Sequence, residues 1–580
     1  MEGGPILEFD GFTVDLGRRL LLREDRPVAL TPKAFDTLAA LLEHPGEVLA
    51  KDELLARVWP DAYVEEGILT QNIYTLRKVF QEAGGGRAYI ETIPRRGYRF
   101  AGPVARRPSP GRAVPRPDAD EERFSSLAVL PFEPLGSHAD DAYLGLGLAD
   151  TLITRLSNLR QLTVRPTSAV RRYLGVERVP AEVGRLLQVD AVLDGTIRRS
   201  GDALRITVQL ISVRHDAPLW ATQLDAHATD LFALEDSISQ KLADELRLRV
   251  TGQERDRLTR SLTRHPEAYD AYLRGRYFWN RRTLEGLEKA IDSFRRAIEL
   301  DEGFALAYAG LADCRVLLPL YGGVPPRGAF PQAIAAAERA LTLDDALAEA
   351  HTSLAYARFI YERRWQKAEA GFRKALELSP GYATAHQWYA FLLSALGRHE
   401  EAIARARQAR DLDPLSLIIN ADLGMVLAFA RDPGAVEQLR RTLDLDPAFA
   451  YARFGLGLAL QQEGRLEDAV GELGLAASMA PDSPAMEAAL GQALARFGYP
   501  DETRQILESL AQKSSKEPVE ESLFAILWTA LGEHDRAIDH LEQACDEGAR
   551  FVVLLGTWSL YDPLRSHPRW PDLLRRAGLS

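Results

Sequence analysis

The chain has 580 residues, 46% of them hydrophobic, and a formal net charge of −12. Domains of ~100–200 residues make one core too few, so at least three domains are expected. The acidic balance excludes indiscriminate attachment to nucleic acid or membrane, but it averages over domains and can conceal a local patch. Cys314 and Cys545, the two cysteines, lie far apart in helical patterns. They support neither a disulfide framework nor a Cys-based metal site and read as small buried residues. MEGGPILEFDGF at the N-terminus lacks the basic-then-apolar order of a secretory signal. No stretch approaches the roughly 20 apolar residues of a membrane span. A cytoplasmic protein without membrane association is therefore expected.

Residues 1–104 read as the first unit. Strand-like runs ILEF (6–9), FTVDL (12–16), RRLLL (18–22) and VAL (28–30) precede three helical patterns. Thr31 before Pro32 is an N-cap followed by a first-turn proline, and that helix runs through FDTLAALLEH to Pro45-Gly46. KDELLARVW forms the second, ending at Trp59-Pro60, and the third covers Glu66–Glu82 before Gly84-Gly85-Gly86. YIETIPRRGYRF (89–100) has two alternating arms around a Pro/Gly centre, a β-hairpin with Arg95 and Arg96 at its tip.

In the third helix, a period of about 3.6 residues aligns Leu69, Ile73, Leu76 and Phe80 on one stripe. The opposite side holds Thr70, Gln71, Tyr74, Thr75, Arg77 and Lys78. Such residues suit a DNA major groove: Arg and Lys for phosphate or guanine, Gln for adenine, Thr for phosphate or a thymine methyl. Residues 67–107 carry eight Arg or Lys against two acids, whereas residues 1–66 carry seven against fourteen. The helix and hairpin thus form a basic patch on an acidic unit, and phosphate contact is the simplest use of it.

LTPKAFDTLAALLEHPGEVLAKDELLARVWPD, LTQNIYTLRKVF and YIETIPRRGYRF, in this order after the strands, closely resemble the OmpR/PhoB-type winged-helix DNA-binding domain, nearest to its CadC-like branch. The resemblance covers about residues 5–104. It implies that the third helix enters the major groove and that the hairpin is a wing reaching the neighbouring minor groove or backbone. It makes Gln71, Tyr74, Thr75 and Lys78 recognition-helix candidates, Arg77 a backbone or base contact, and Arg95 and Arg96 wing contacts. Some members place the wing arginine directly after the strand, where this chain has Pro94, so the choice between Arg95 and Arg96 stays open.

A proline- and charge-rich linker occupies 105–123. Residues 124–250 alternate strands (SLAVLPF, LTVRP, AVLDGTIRR, ALRITVQLISV, LWATQLD) with helices at 141–159, 180–189 and 231–250, a small α/β domain. SLAVLPF, ADTLITRLSNL and VLDGTIRRSGDALRITVQL look like the TolB N-terminal/FlgO-like domain, which implies an interaction module with no catalytic residues to transfer.

From residue 266 to 580 the sequence repeats. Ala368, Ala402, Ala435 and Ala469 are spaced 34, 33 and 34 apart, and Ala537 lies 68 beyond. This period, with small residues at fixed offsets, marks the tetratricopeptide repeat (TPR). Ala390, Ala402 and Ala409 sit where two antiparallel helices must touch, and Pro414 ends the second helix. Seven or eight helix pairs are expected in an all-α superhelix with a concave surface for a protein or peptide.

No phosphate loop, HExxH, GxSxG or Cys/His zinc spacing occurs, and the glycines of GLGLAD (145–150) read as helix packing. Neither catalytic residues nor a metal or cofactor site is expected. No receiver domain precedes the winged helix, which leaves aspartyl phosphorylation in cis without support. The expected function is a sequence-specific regulator of transcription that binds double-stranded DNA, possible homodimers included, and is controlled by its C-terminal domains. The rival is a TPR scaffold whose winged helix serves protein contacts.

Overall fold

The computed structural model describes all of the chain except residues 1–5, 17–19, 24–25, 29, 31, 60–65, 83–88, 95, 108–123, 136–141, 158, 160, 201–202, 228–230, 247–262, 264, 322–323, 516–518 and 580. The expected N-cap Thr31 and the wing residue Arg95 therefore lie outside the described residues.

The N-terminal region opens with β1 (Ile6–Phe9) and β2 (Phe12–Asp15), joined by Asp10-Gly11 with φ of 41° and 80°. Positive φ at both turn residues gives the tight hairpin that an Asp-Gly pair favours, and it sets Phe9 opposite Phe12. β3 (Leu20–Arg23) and β4 (Arg26–Val28) extend the sheet. Helices α1 (Pro32–Glu43), α2 (Lys51–Val58) and α3 (Glu66–Glu82) follow, with the short β5 (Val48–Leu49) between the first two. The hairpin β6 (Ile90–Ile93) and β7 (Gly97–Phe100) pairs with β5 in the order β5-β7-β6. Residues assigned to the linker by composition begin with β8 (Ala105–Arg107), which pairs antiparallel with β1. The chain thus returns to the N-terminal sheet before leaving the domain.

The core between these sheets is aromatic. Phe80 of α3 lies 5.7, 5.2 and 5.4 Å from the ring centres of Phe9, Phe12 and Tyr89, and Phe9 meets Phe100 at 4.8 Å. Edge-on contacts of this kind add about 0.5–1.5 kcal/mol each beyond burial.

In the middle region, β9 (Ser126–Val129), β12 (Ala191–Ser200), β13 (Ala203–Ser212) and β14 (Ala217–His227) lie side by side in that order. β12 runs parallel to β9 and antiparallel to β13, and β10 (Glu133–Pro134) pairs with β12. Helices α4 (Ala142–Leu156), α5 (Thr167–Val170), α6 (Pro180–Leu186) and α7 (Leu231–Glu245) and the short β11 (Thr163–Val164) complete the region.

Two compact units divide the chain: Met1–Gly145 with Tyr173–Val250, and Leu146–Arg172 with Thr251–Ser580. The second unit stacks helix pairs whose first helices begin at 266, 305, 348, 383, 417, 450, 484 and 521, eight pairs among the described residues. Ala390, Ala402 and Ala409 are buried to 1%, 0% and 1%, as the close approach of paired helices requires. Larger groups fill matching gaps: the Phe294 ring occupies the space that a methyl on Gly275 or Gly310 would need.

Residues 146–172 pack directly on the repeats. Asp150, 1% exposed, accepts from Arg276 at 2.5 and 3.1 Å and from Thr167 at 2.5 Å. Arg165 and Arg172 donate to the carbonyls of Leu412 (2.9 Å) and Leu415 (3.0 Å). The glycines of the GLGLAD segment serve packing, since a methyl on Gly147 would press on Leu273 at 3.0 Å.

The surface formed by the first helices is partly covered by the chain's own tail. Residues Arg550–Leu554 and Ser559–Leu564 form 3₁₀ turns that lie against the first helices of several pairs. Trp558 faces Phe429, Gln462 donates to Ser559 at 3.0 Å, and Arg431 pairs with Asp562 at 2.6 Å. Leu555, Tyr561 and Leu564 are fully buried there. The concave surface expected to stand open to a peptide is thus occupied along this stretch, because the tail's apolar side chains find their core there.

Both cysteines are buried, and burial pushes the Cys545 thiol up to about 11. Among the described residues no helix is long and apolar enough to cross a membrane, and no three His, Cys, Asp or Glu are grouped to hold a metal.

Removing one partner of a buried, hydrogen-bonded ion pair strands the other charge. Asp150→Ala should therefore destabilise the second unit by about 3–5 kcal/mol, measured by denaturant unfolding, while the unfolding of an isolated 1–107 fragment serves as an unaffected reference.

Candidate nucleic-acid interface

The rotation of α3 is set by its apolar stripe. Leu69, Ile73, Leu76 and Phe80 are at most 2% exposed, and Asn72 donates to Thr37 of α1 at 3.3 Å. With that side fixed, Thr70, Gln71, Tyr74 and Lys78 stand exposed on the other, Tyr74 at 61%. Thr75 is half-buried and returns its hydroxyl to the Gln71 carbonyl at 2.9 Å, a local bond that a helical threonine commonly makes. Thr70 approaches the Tyr98 hydroxyl at 3.5 Å, which places the foot of the helix beside the hairpin.

The guanidinium of Arg77, expected as a backbone or base contact, reaches across to the hairpin. Its Nε and Nη2 donate to the Ile90 carbonyl at 3.1 and 3.0 Å, and Nη2 also donates to the Thr92 hydroxyl at 2.7 Å. Three donor contacts inside the domain make it a clamp between α3 and β6.

The hairpin tip is built by backbone geometry. Arg96 N–H donates to the Ile93 carbonyl at 3.0 Å and its side chain is exposed. Gly97 has φ of +137°, and a methyl there would collide with the Leu49 carbonyl. Glycine is thus required both for the turn and for the close approach of β7 to β5. Tyr98 and Phe100, 5% and 0% exposed, anchor the returning strand in the core, while Arg99 pairs with Glu91 across the hairpin at 2.5 Å. Burial and the neighbouring Asp10 carboxylate raise the Tyr89 hydroxyl above its ordinary value, so it stays neutral and donates to Asp10.

The structure therefore brings Thr70, Gln71, Tyr74 and Lys78 onto one face and Arg96 onto the adjoining tip. Ile68 joins this face, 51% exposed. It escaped the sequence reading because an isoleucine beside an apolar stripe reads as core. Its offset of one residue from Leu69 was the available signal.

Comparison with known proteins bears on each region of the chain in turn. Residues 25–100 match the family model described as transcriptional regulatory protein, C terminal. The chain carries an OmpR/PhoB-type DNA-binding domain. Residues 123–242 match the second domain of HilA/YgeH-like transcriptional regulators, the finding that stands beside the TolB/FlgO-like resemblance, and residues 359–418 match the tetratricopeptide repeat. Transcriptional regulator HilA of Salmonella typhimurium is 27% identical over 408 residues, 70% of either chain. A protein of Rhizobium meliloti named putative adenylate cyclase 3 is 30% identical over 267 residues, 46% of this chain and 45% of that one. Among solved structures, the DNA-binding domain of E. coli CadC is 33% identical, covering 18% of this chain and 97% of that one with a TM-score of 0.17.

Arg77→Ala should lower the stability of the domain by about 1 kcal/mol, the usual net value of such hydrogen bonds, whereas Gln71→Ala, at an exposed side chain, should leave its melting temperature unchanged. Gly97→Ala should be the most damaging of the three, through backbone collision. Thermal unfolding of fragment 1–107 carrying each change reads all three.

Proposed function

We propose that this protein is a sequence-specific DNA-binding regulator of transcription. The one observation that carries the reading is the one-sided α3, whose apolar stripe is locked in the core while Gln71, Tyr74 and Lys78 project beside a basic hairpin. In this reading α3 lies in the major groove. Gln71 and Thr70 face base edges, Ile68 meets a thymine methyl, Tyr74 and Lys78 reach bases or phosphates, and Arg95 and Arg96 meet the adjacent groove or backbone. Thr75 supports Gln71 through its bond to that residue's carbonyl, and Arg77 positions the wing against the helix.

The middle region and the repeats set the activity of the DNA-binding domain in answer to a protein partner, from the cytoplasm and without catalysis by the chain itself. Two copies on paired half-sites would give a regulator of this size its operator specificity. Because the tail covers part of the first-helix surface, a protein partner would either use the outer faces of the repeats or displace the tail.

Phosphate contacts give binding a negative dependence on salt. Affinity for genomic fragments selected by the purified protein should fall steeply with salt, and Lys78→Ala should reduce the slope of log K against log salt by about 1. Lys78, Arg95 and Arg96 changed together to alanine should abolish selective binding; intact binding by that folded variant would sink the interface. Deletion of residues 124–580 should uncouple transcription from cellular conditions, and an unchanged response would refute control by the C-terminal regions.

A further inference from the structure

Arg178 pins the chain just ahead of α6. Its guanidinium donates to the carbonyls of Tyr173 and Pro131, each at 2.6 Å, and to Asp194 at 2.8 Å, and its side chain is buried. A buried arginine with three such bonds fixes the backbone on both sides of it. Val176 and Val179, two residues before it and one after, are thereby held outward, 51% and 50% exposed. The helix itself is fixed by its inner side, where Ala181, Val183 and Leu187 are buried and a methyl on Gly184 would collide with Val192 and Val213. Its outer side then carries Glu182, Arg185 and Leu186, the last 62% exposed. Turning Leu186 inward would lift Leu187 out of the core, so the fold itself imposes this exposure.

Single exposed apolar residues are ordinary, but three between residues 176 and 186 on rigid backbone mark a contact surface. The charges of the face select its occupant. Glu182 lies about one turn before Arg185, and Val179 lies two turns before Leu186, so the face is its own complement when reversed. Two α6 helices related by a two-fold axis run antiparallel. That sets Leu186 of each copy against Val179 of the other and brings each Arg185 within reach of the other's Glu182. Within its own unit Arg185 meets Asp216 at 3.7 Å with both side chains about half exposed, a contact worth little. A purely acidic or purely basic partner would meet a like charge on this face, whereas a second copy meets none.

We propose that α6 and the residues leading into it form a self-association surface through which two copies of this chain pair about a two-fold axis. Three side chains per copy cover far less than the roughly 1,200 Å² of a stable interface, so pairing in free solution is weak and reversible. Copies set side by side raise their effective concentration and strengthen it. The surface gives copies on paired half-sites a contact outside the winged helix, yet it does not rest on DNA binding, and its test contains no DNA.

Sedimentation equilibrium of the full chain, up to its highest soluble concentration, provides that test. The average mass should rise above the 64.4 kDa of one chain as concentration increases. Leu186→Glu, at an exposed site, should fold with an unchanged melting temperature and weaken association at least about tenfold, since it places a charge in the apolar contact. Should it fail to fold, Val176→Glu should show the same loss. Arg185→Glu should also weaken association, and the reversed pair Glu182→Arg, Arg185→Glu should restore it, a rescue that requires contact between two copies of the same face. A parent that stays at the mass of one chain, or a reversed pair no better than Arg185→Glu alone, overturns the inference. A folded Leu186→Glu that associates as the parent does would give the face to another partner and overturn it as well.

Discussion

The insertion of Phe80 into the aromatic box of Phe9, Phe12 and Tyr89 is the constraint on which the exposed polar face of α3 depends. A helix with an apolar stripe can rotate about its axis by only a few tens of degrees before a large ring leaves its slot. Phe80 therefore fixes which residues of α3 face solvent, and Asn72 bonded to Thr37 sets the same rotation from the other end. The box draws on β1, β2 and the start of the hairpin, so the helix, the sheet and the wing share one core and do not move as separate parts.

The wing depends on that core through two further contacts. Arg77 ties the Ile90 carbonyl and Thr92 hydroxyl to α3, and Gly97 lets β7 come close enough to Leu49 for the three-stranded sheet to form. Helix and hairpin are thereby held at one spacing. Arg77, Lys78 and Arg96 all keep exposed side chains around this junction of helix and hairpin.

In the second unit a different rule operates. Small residues at a 34-residue period let helix pairs stack, and stacking leaves a surface of first helices that must be covered or used. The chain's own segments pack on the repeats twice: residues 146–172 dock through Asp150 on the first helix of the first pair and through Arg165 and Arg172 on carbonyls at the end of the fourth pair, and the tail docks through Leu555, Trp558 and Tyr561. The first uses charge and backbone carbonyls and the second apolar area. The segments before and after the repeats are therefore built into one unit with them.

Much of this was legible in the sequence. The limits of α3, its buried stripe and exposed polar face, and the period of the repeats follow from local hydrophobic spacing, which the 3.6-residue turn and the 34-residue pair translate directly into structure. The glycine at the hairpin tip was legible for the same reason, being a demand of one backbone angle. What tertiary structure alone decided are the contacts between segments distant in sequence: Arg77 on β6, β8 beside β1, residues 146–172 and the tail on the repeats. An arginine, a short strand or a proline-bearing tail carries no mark of its partner in its own sequence. Those partners are chosen by which surfaces remain unburied once the local elements have packed.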